Sequence, residues 1–412
     1  MFDLQLTAEQ LEFREAVRDF VTREVKPAAI DSKRLEPFEK PLMMDLLNQA
    51  AQMGLRTLAL PEDAGGAGAD ALTTCLLLEE LAAGDVDIAV VLGDTALLAR
   101  QCFNGAMTEA QRKRWLARMA DDDGFHLSLI ARDDLQERGW SYYGPLPVDA
   151  DAEPVGSPDL TARRDGKDWI IDGLAPFVSN APLAKLFIVQ AKADDGVVTL
   201  IVPRDARGID VSDSLPAFAG DGERTRWHHG ACSAVAFDGC RVSADDQIAQ
   251  DAAHRSLQAD YFARRTVQMA AINVGVARAA YEAAIEYAKI RWQGGRFIVE
   301  HQAIGMKLAD VAIQIEAARG LVHKAAWASD HPDGVSGGSI SDLPWPVVAR
   351  TFAGHALHHA TLESAECFGA MGVMRDMPLQ KYVHDTLVLK HSTDSDLTAP
   401  LVVAEAIAGF TR

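Results

Sequence analysis

The sequence predicts an α+β protein of several domains: a helical domain over residues 1–122, a β domain over 123–247 and a helical bundle over 248–412. Three observations support this prediction. At 412 residues the chain exceeds about 250–300 residues, where single hydrophobic cores stop growing. Apolar residues recur at helical spacing in the first and last thirds. Short β-rich runs separated by turn residues fill the middle.

The first predicted helix begins at a capping box. Thr7 is its N-cap and Gln10 lies three residues on, followed by Phe13 and Val17 at helical spacing. Pro27 predicts the end of this helix, because proline lacks the backbone N–H that a helix interior needs. Further helical patterns cover 41–53, 71–81 and 108–119, and the glycine-rich PEDAGGAGAD at 61–70 predicts a loop between them.

The pattern changes to short β-rich runs after the DDDG at 121–124. The predicted strands are HLSLIA (126–131), DWIIDG (168–173), LFIVQAK (186–192), VVTLIVP (197–203) and SAVAFDGCRV (233–242). Residues 149–159 predict an exposed loop. Helices return in the last third, with patterns over 254–291 as one or two helices, 302–329 and 343–369, and a connector at 329–342.

Composition excludes several functional classes. Forty basic and 59 acidic residues give a formal charge of −19, which repels nucleic acid and anionic membranes. No signal peptide and no membrane span are recognised, so we expect a cytoplasmic protein. The five cysteines are scattered and odd in number, which indicates neither a disulfide framework nor a zinc site.

Four stretches resemble the acyl-CoA dehydrogenase family, in the right order and across nearly the whole chain. They are LTAEQLEFREAVRDFVTREVKP (6–27), GLRTLALPEDAGGAGAD (54–70), WIIDGLAPFVSNAPLAKLFIVQAK (169–192), and RWQGGRFIVEHQAIGMKLADVAIQIEAARGLV (291–322) with ECFGAMGVMRDMPLQKYVHD (366–385). The resemblance implies a central β-barrel, a C-terminal four-helix bundle, an FAD cofactor and an acyl-CoA substrate. It also implies a tetramer.

The resemblance implies six cofactor-binding residues. Phe177 falls where the family usually has a Trp against the flavin ring, and Ser179 where a Thr hydroxyl approaches flavin N5. The alternative is that Phe177 is a core residue and Ser179 a strand end. The other four match residues that contact the cofactor, in part across a subunit interface: Arg291, Gln302, Gly369 and Gly372. A guanidinium suits phosphate oxygens, and glycine permits close backbone approach.

The expected catalytic base is missing. The family's Glu-Gly-Thr triplet falls on Thr393-Asp394-Ser395, and an alcohol is essentially never ionised near neutral pH. Some relatives carry the base on the long helix of the bundle, and that position is Arg265. We therefore predict no catalytic residue. Asp394 could serve if its loop shifted, although a solvated turn is the better interpretation.

The departures are asymmetric. The family's own flavin loop, Thr-Glu-Pro followed by Gly-Ser-Asp, is replaced by LIARDDLQERGW (129–140). The residues extended toward a neighbouring subunit are partly kept, although Gly294 replaces a Phe, Glu366 a Gln and Ala370 a Gly. We therefore expect a subunit without a base in a heteromeric acyl-CoA dehydrogenase, of the kind that acts on bulky lipid or steroid side chains. The alternatives are a flavin monooxygenase or oxidase of this fold, and a non-catalytic acyl-CoA-binding scaffold.

Three further groups of residues have patterns that could form a site. His355, His358 and His359 have a spacing that can chelate a metal, but interface or core histidines are the better interpretation, and we predict no metal site. The His228-His229 pair is similarly expected in a loop. Arg264 and Arg265 could meet an acyl-CoA or form a solvated helix face.

Overall fold

The computed structural model of the chain describes residues 5–31, 42–131, 159–212, 231–249, 252–331, 343–374, 376–391 and 398–409. Residues 132–140 of the replaced flavin loop, the His228-His229 pair and the Thr393-Asp394-Ser395 triplet lie outside these ranges.

Helices form the amino-terminal third. They are α1 (Ala8–Phe20), α2 (Lys26–Ala29), α3 (Met44–Gln52), α4 (Ala71–Gly84), α5 (Val86–Gln101) and α6 (Glu109–Asp121), with π-helical turns at Val21–Val25 and Cys102–Ala106. The predicted capping box is confirmed: Gln10 N donates to Thr7 Oγ1 at 3.1 Å, and Thr7 N donates to Gln10 Oε1 at 3.0 Å. The sequence pattern does not predict helix α5. This helix is buried on nearly all sides, so it lacks the amphipathic stripe by which a surface helix is recognised.

The prediction that Pro27 ends the first helix is wrong. Helical backbone continues through the π turn Val21–Val25 into α2, where Pro27 occupies the first turn. A proline is tolerated there because the N–H groups of a first turn have no intrahelical partner. The helical path therefore extends to Ala29.

An eight-stranded sheet forms the middle of the chain. Its strands are β1 (His126–Ile130), β2 (Asp159–Asp165), β3 (Asp168–Ser179), β4 (Ala184–Ala193), β5 (Gly196–Pro203), β6 (Ile209–Val211), β7 (Cys232–Val242) and β8 (Gln247–Ile248). The hydrogen-bonded order is β6-β7-β3-β2-β4-β5-β8, and β1 pairs in parallel with β4. Among the described residues no pairing joins the outer strands β6 and β8.

Helices return in the last third, which confirms the predicted order of helices, β domain and helices. They are α7 (Ala252–Ile290), α8 (Gln302–Asp330), α9 (Trp345–Glu366), α10 (Leu379–His391) and α11 (Thr398–Ala408). A short hairpin of β9 (Trp292–Gln293) and β10 (Arg296–Phe297) joins α7 to α8, and a 3₁₀ turn, Gly369–Val373, follows α9. Within the described ranges no helix combines the length and apolar composition needed to cross a bilayer.

The chain forms two compact units. The helical unit consists of residues 1–46, 69–93 and 262–411, and the sheet unit of residues 47–68 and 94–261. In the helical unit, buried residues of α4, α7, α8 and α9 share one hydrophobic core, among them Leu76, Val274, Ile315 and Leu357. In the sheet unit the strands bury a second core that includes Phe187, Leu200 and Val235. Each fully buried side chain of this size contributes about 1.5–3 kcal/mol.

Helices α4 and α7 approach closely at Gly275. A Cβ there would lie 2.2 Å from Glu79 O and 3.0 Å from Ala82 Cβ. We expect Gly275→Ala to destabilise the helical unit by about 1–3 kcal/mol, because the two backbones must separate. Gly320→Ala is the matched control: its Cβ would meet nothing within 4 Å, so removing glycine from a helix interior should stabilise by about 0.5–1 kcal/mol. Urea unfolding of both variants measures the difference, and a Gly275→Ala protein as stable as wild type would contradict the expectation.

Candidate functional site

Phe177 and Ser179 lie together at the end of β3 in the sheet unit. Both side chains are half-buried, whereas Val178 between them is buried. Ser128 Oγ donates to Ser179 O at 2.7 Å, which fixes the strand end against β1. The strand end therefore carries an aromatic ring and a hydroxyl two residues apart.

A buried polar network holds the residue after this strand. Asn180 has a φ of 61°, a left-handed conformation that asparagine tolerates better than most residues. Its Nδ2 donates to Thr95 Oγ1 at 3.3 Å and to Leu127 O at 3.4 Å, and Thr95 Oγ1 lies 3.1 Å from Nδ1 of His126. The sequence patterns do not predict this network, although the Ser-Asn at the strand end is a local signal for it.

His126 is completely buried in this network. Burial lowers the pKa of its imidazole to about 4, assisted by the positive charges of Arg56 and Lys185 and opposed by Asp122. The ring is therefore neutral at neutral pH, and it contributes shape and hydrogen bonding rather than charge.

In the helical unit, Arg291 lies at the start of the β9–β10 hairpin. Its backbone is fixed on both sides: Arg291 N donates to Tyr287 O at 2.9 Å, and Ile298 N donates to Arg291 O at 2.9 Å. The side chain is exposed and makes no hydrogen bond or ion pair with another described residue. The guanidinium donors are therefore available to a ligand.

Gln302 is the first residue of α8, and its side chain is exposed. The first N–H groups of a helix lack intrahelical acceptors, and His301 makes no side-chain cap there. The start of this helix therefore offers a carboxamide together with backbone donors.

The two predicted glycines differ. Gly369 is exposed with a φ of 57°, and nothing lies within 4 Å of the place its Cβ would take. Gly372 is buried, and its Cβ would lie 2.3 Å from Ala365 O. Packing of the chain against itself therefore requires glycine at 372, a reason independent of any cofactor.

Contacts bring these elements to one end of the helical unit. Tyr287 near the end of α7 stacks on Phe368, with ring centroids 4.2 Å apart. Lys307 in α8 forms ion pairs with Glu363 and with Glu366, the latter at 2.5 Å. The hairpin after α7, the start of α8 and the turn after α9 are thus neighbours, so Arg291, Gln302 and Gly369 share one end of the unit.

The residue that the resemblance aligns with the second base position is a cation. Arg265 lies half-buried on α7, as the sequence places it. Its neighbour Arg264 is only 7% exposed, and its Nη1 lies 2.7 Å from Asp330 Oδ1. Arg264 therefore does not belong to a solvated helix face, because its guanidinium is buried and paired with Asp330 of α8.

The three histidines of α9 form no metal centre in the described structure. His355 and His359 are exposed, whereas His358 is half-buried with Nδ1 3.1 Å from Thr386 Oγ1. Within the described ranges no group of three or more His, Cys, Asp or Glu side chains could hold a metal ion.

The two units carry different candidate ligand-binding residues. Arg291, Gln302 and the open start of α8 offer donors of the kind that bind phosphate oxygens. Phe177 and Ser179 offer a ring and a hydroxyl near the end of β3. The first set belongs to the helical unit and the second to the sheet unit.

Comparisons with known proteins agree with this fold. The family profile "Acyl-CoA dehydrogenase, N-terminal domain" matches residues 7–123, and "Acyl-CoA dehydrogenase, C-terminal domain" matches residues 256–392. An acyl-CoA dehydrogenase of Bacillus subtilis is 26% identical over 414 residues, covering 99% of this chain and all of the relative.

Solved structures show the same fold. The butyryl-CoA dehydrogenase of Megasphaera elsdenii matches with a TM-score of 0.80 and 22% identity over 99% of this chain and 100% of its own. A glutaryl-CoA dehydrogenase of Mycobacterium smegmatis, solved in complex with FADH2, matches with a TM-score of 0.77 and 19% identity over 99% and 96% of the two chains. From its sequence and its fold, this chain belongs to the acyl-CoA dehydrogenase family.

Proposed function

We propose that this chain is the subunit without a catalytic base in a heteromeric, FAD-dependent acyl-CoA dehydrogenase. The observation that carries the proposal is the lack of a carboxylate at both positions where the resembled family places its base. Thr393 occupies one position in the sequence, and Arg265 on α7 occupies the other.

The chemistry of α,β-desaturation explains why this matters. The α-proton of the acyl thioester must pass to a base, while bound FAD accepts the hydride from the β carbon. A threonine hydroxyl is un-ionised near neutral pH, and a guanidinium is permanently protonated, so neither side chain can remove that proton. The base in this enzyme therefore comes from an unlike subunit.

The exposed end of the helical unit supports a role toward that subunit. Arg291 and Gln302 would hold the phosphates of the FAD in the adjoining subunit, and the open backbone at Gly369 would lie beside it. In the sheet unit, Phe177 and Ser179 would face the flavin ring of this chain's own site. An acyl-CoA would be the substrate of the assembly.

The apolar surface around Arg291 is consistent with a subunit interface. Trp292 is 60% exposed and Phe297 40% exposed on the hairpin, where their rings make an edge contact at 5.1 Å. Val373 is 73% exposed in the turn after α9, and Met306 on α8 is also 73% exposed. Large apolar side chains that cluster on a surface mark association sites, which supports assembly into a heterotetramer. We expect this assembly in the cytoplasm.

The test is co-expression with an acyl-CoA dehydrogenase-like chain that retains its glutamate, encoded beside this one. The purified complex should be yellow and should desaturate an acyl-CoA, whereas this chain alone should do neither. Stoichiometric FAD and desaturation by this chain alone would overturn the proposal. So would a complex that never forms.

Arg291→Gln tests the phosphate contact within that complex. We expect FAD to be held about 10- to 100-fold more weakly, because hydrogen bonds to charged groups contribute about 1.5–3 kcal/mol. Arg296→Gln is the matched control, since Arg296 is exposed on the same hairpin. Flavin release on dilution, followed by fluorescence, measures both variants, and equal release from the two would remove Arg291 from the site.

A further inference from the structure

A cavity of about 500 Å³ lies within the helical unit, between α1, α4, α7 and α8. Ligand pockets span about 300–1,000 Å³, so the space can hold a small organic molecule. The lining contains four arginines, four glutamates and a histidine, together with an apolar wall of Leu76, Ala312 and Ile315. None of the cofactor-binding residues described above lines it.

The buried acids of the cavity are already neutralised. Glu80 Oε1 lies 2.7 Å from Arg18 Nη2, and Glu80 Oε2 lies 2.6 Å from Arg278 Nη2. Burial alone raises the pKa of Glu80, but these two arginines outweigh burial and hold the pKa below its ordinary value. Glu79 is paired with Arg319 at 2.9 Å. These two carboxylates therefore leave no negative charge for a cationic ligand.

Arg14 and His323 in the lining each have a buried nitrogen that has no hydrogen-bond partner among the described residues. Arg14 on α1 makes no ion pair with another described residue, and its Nε is buried without a hydrogen bond. His323 on α8 likewise has a buried Nε2 without a partner. Unpaired polar atoms in such a position are costly, and an acceptor that reaches them removes that cost.

The electrostatic surroundings of His323 link it to Arg14. Burial lowers the pKa of His323, and the charges of Arg319 and Arg14 lower it further, against the opposing carboxylates Glu79 and Glu316. An anion placed beside Arg14 would offset these positive charges and favour the imidazolium. Binding of an anion at this place is therefore coupled to uptake of a proton.

We propose that this cavity binds an organic carboxylate with a short apolar tail. The carboxylate pairs with the Arg14 guanidinium beside His323, and the tail lies on the wall of Leu76, Ala312 and Ile315. The site is separate from the proposed acyl-CoA chemistry, and it requires neither flavin nor a partner subunit.

Isothermal titration of the purified chain with octanoate tests the proposal, with octanamide as the uncharged probe. We expect octanoate to bind and octanamide to bind at least about tenfold more weakly, because a charge-assisted hydrogen bond is lost. Arg14→Gln should weaken octanoate binding about 10- to 100-fold. Arg23→Gln is the matched control, because Arg23 is exposed and pairs only with Asp19 among the described residues, and it should change the affinity less than about twofold.

Titration in two buffers of different ionisation enthalpy measures the proton. Wild type should take up part of a proton near pH 7 on binding octanoate, and His323→Gln should take up none. Octanoate binding that Arg14→Gln leaves unchanged would place the ligand elsewhere, including the acyl pocket, and would overturn the proposal. So would the absence of binding, or proton uptake that persists in His323→Gln.

Discussion

Replacing Lys381 with methionine is expected to destabilise the helical unit by about 3–5 kcal/mol, because it removes a buried cation that pairs with buried carboxylates. The ammonium of Lys381 on α10 is almost completely buried, with its Nζ 2.5 Å from Asp385 Oδ2 and 4.0 Å from Asp85 Oδ2. Asp85 is itself fixed, since its Oδ1 accepts from the backbone of Asp87 and Ile88 at the start of α5. Methionine fills a similar volume, so the lost charge is the main change.

Lys289→Met is the matched control for this experiment. Lys289 is exposed near the end of α7, and its replacement should change the free energy of unfolding by less than about 0.5 kcal/mol. Urea unfolding measures both variants. A Lys381→Met protein within about 1 kcal/mol of wild type would contradict the expectation.

The pH dependence of this effect has a definite sign. Burial lowers the pKa of Lys381, but Asp385 and Asp85 outweigh burial and raise it above its ordinary value. A raised pKa means that the stabilisation is complete below the unfolded value of about 10.4 and is lost as the pH rises through the folded value. The difference between wild type and Lys381→Met should therefore stay constant from about pH 6 to pH 9.

His126 should make the sheet unit lose stability as the pH falls from about 6.5 to about 4. In this range the unfolded chain binds a proton on the imidazole, while the folded network keeps it neutral. The difference between these two pKa values corresponds to about 3 kcal/mol in total. The loss is complete once the pH is below the folded pKa.

His126→Asn isolates this contribution from the titration of carboxylates. Asparagine retains a polar group toward Thr95 but does not titrate. Over the same pH range the variant should therefore lose about 3 kcal/mol less of its free energy of unfolding than wild type loses. His355→Asn, at an exposed position on α9, should leave the pH dependence unchanged. Hydrogen exchange of the amides in β1 and β3 measures the stability, and parallel slopes for wild type and His126→Asn would contradict the expectation.

Local patterns in the sequence predicted the order of the elements. Both hydrogen bonds of the predicted capping box between Thr7 and Gln10 are confirmed, because the two residues lie within one turn of helix. The β-rich runs over 168–173 and 186–192 lie within β3 and β4. The flavin and phosphate roles of Phe177, Ser179 and Arg291 stay predictions, since they depend on a ligand and on a second subunit.

Other features depended on which segments became neighbours. The helical path continues past Pro27 because the π turn Val21–Val25 places this proline in the first turn of α2. No local rule predicts the π turn. By sequence Arg264 could be solvated or ligand-binding, and only its pairing with Asp330, 66 residues away, excluded the solvated face.

The sequence by itself therefore determined the order of helices and strands and the family motifs, including the alignment of Thr393 and Arg265 with the family's base positions. The tertiary structure alone decided the burial of Lys381 and His126, the reason for glycine at 372, and the cavity that holds Arg14 near His323. The physical reason is range: periodicity and capping act over a few residues, whereas burial and ion pairing act between segments that only the folded chain brings together.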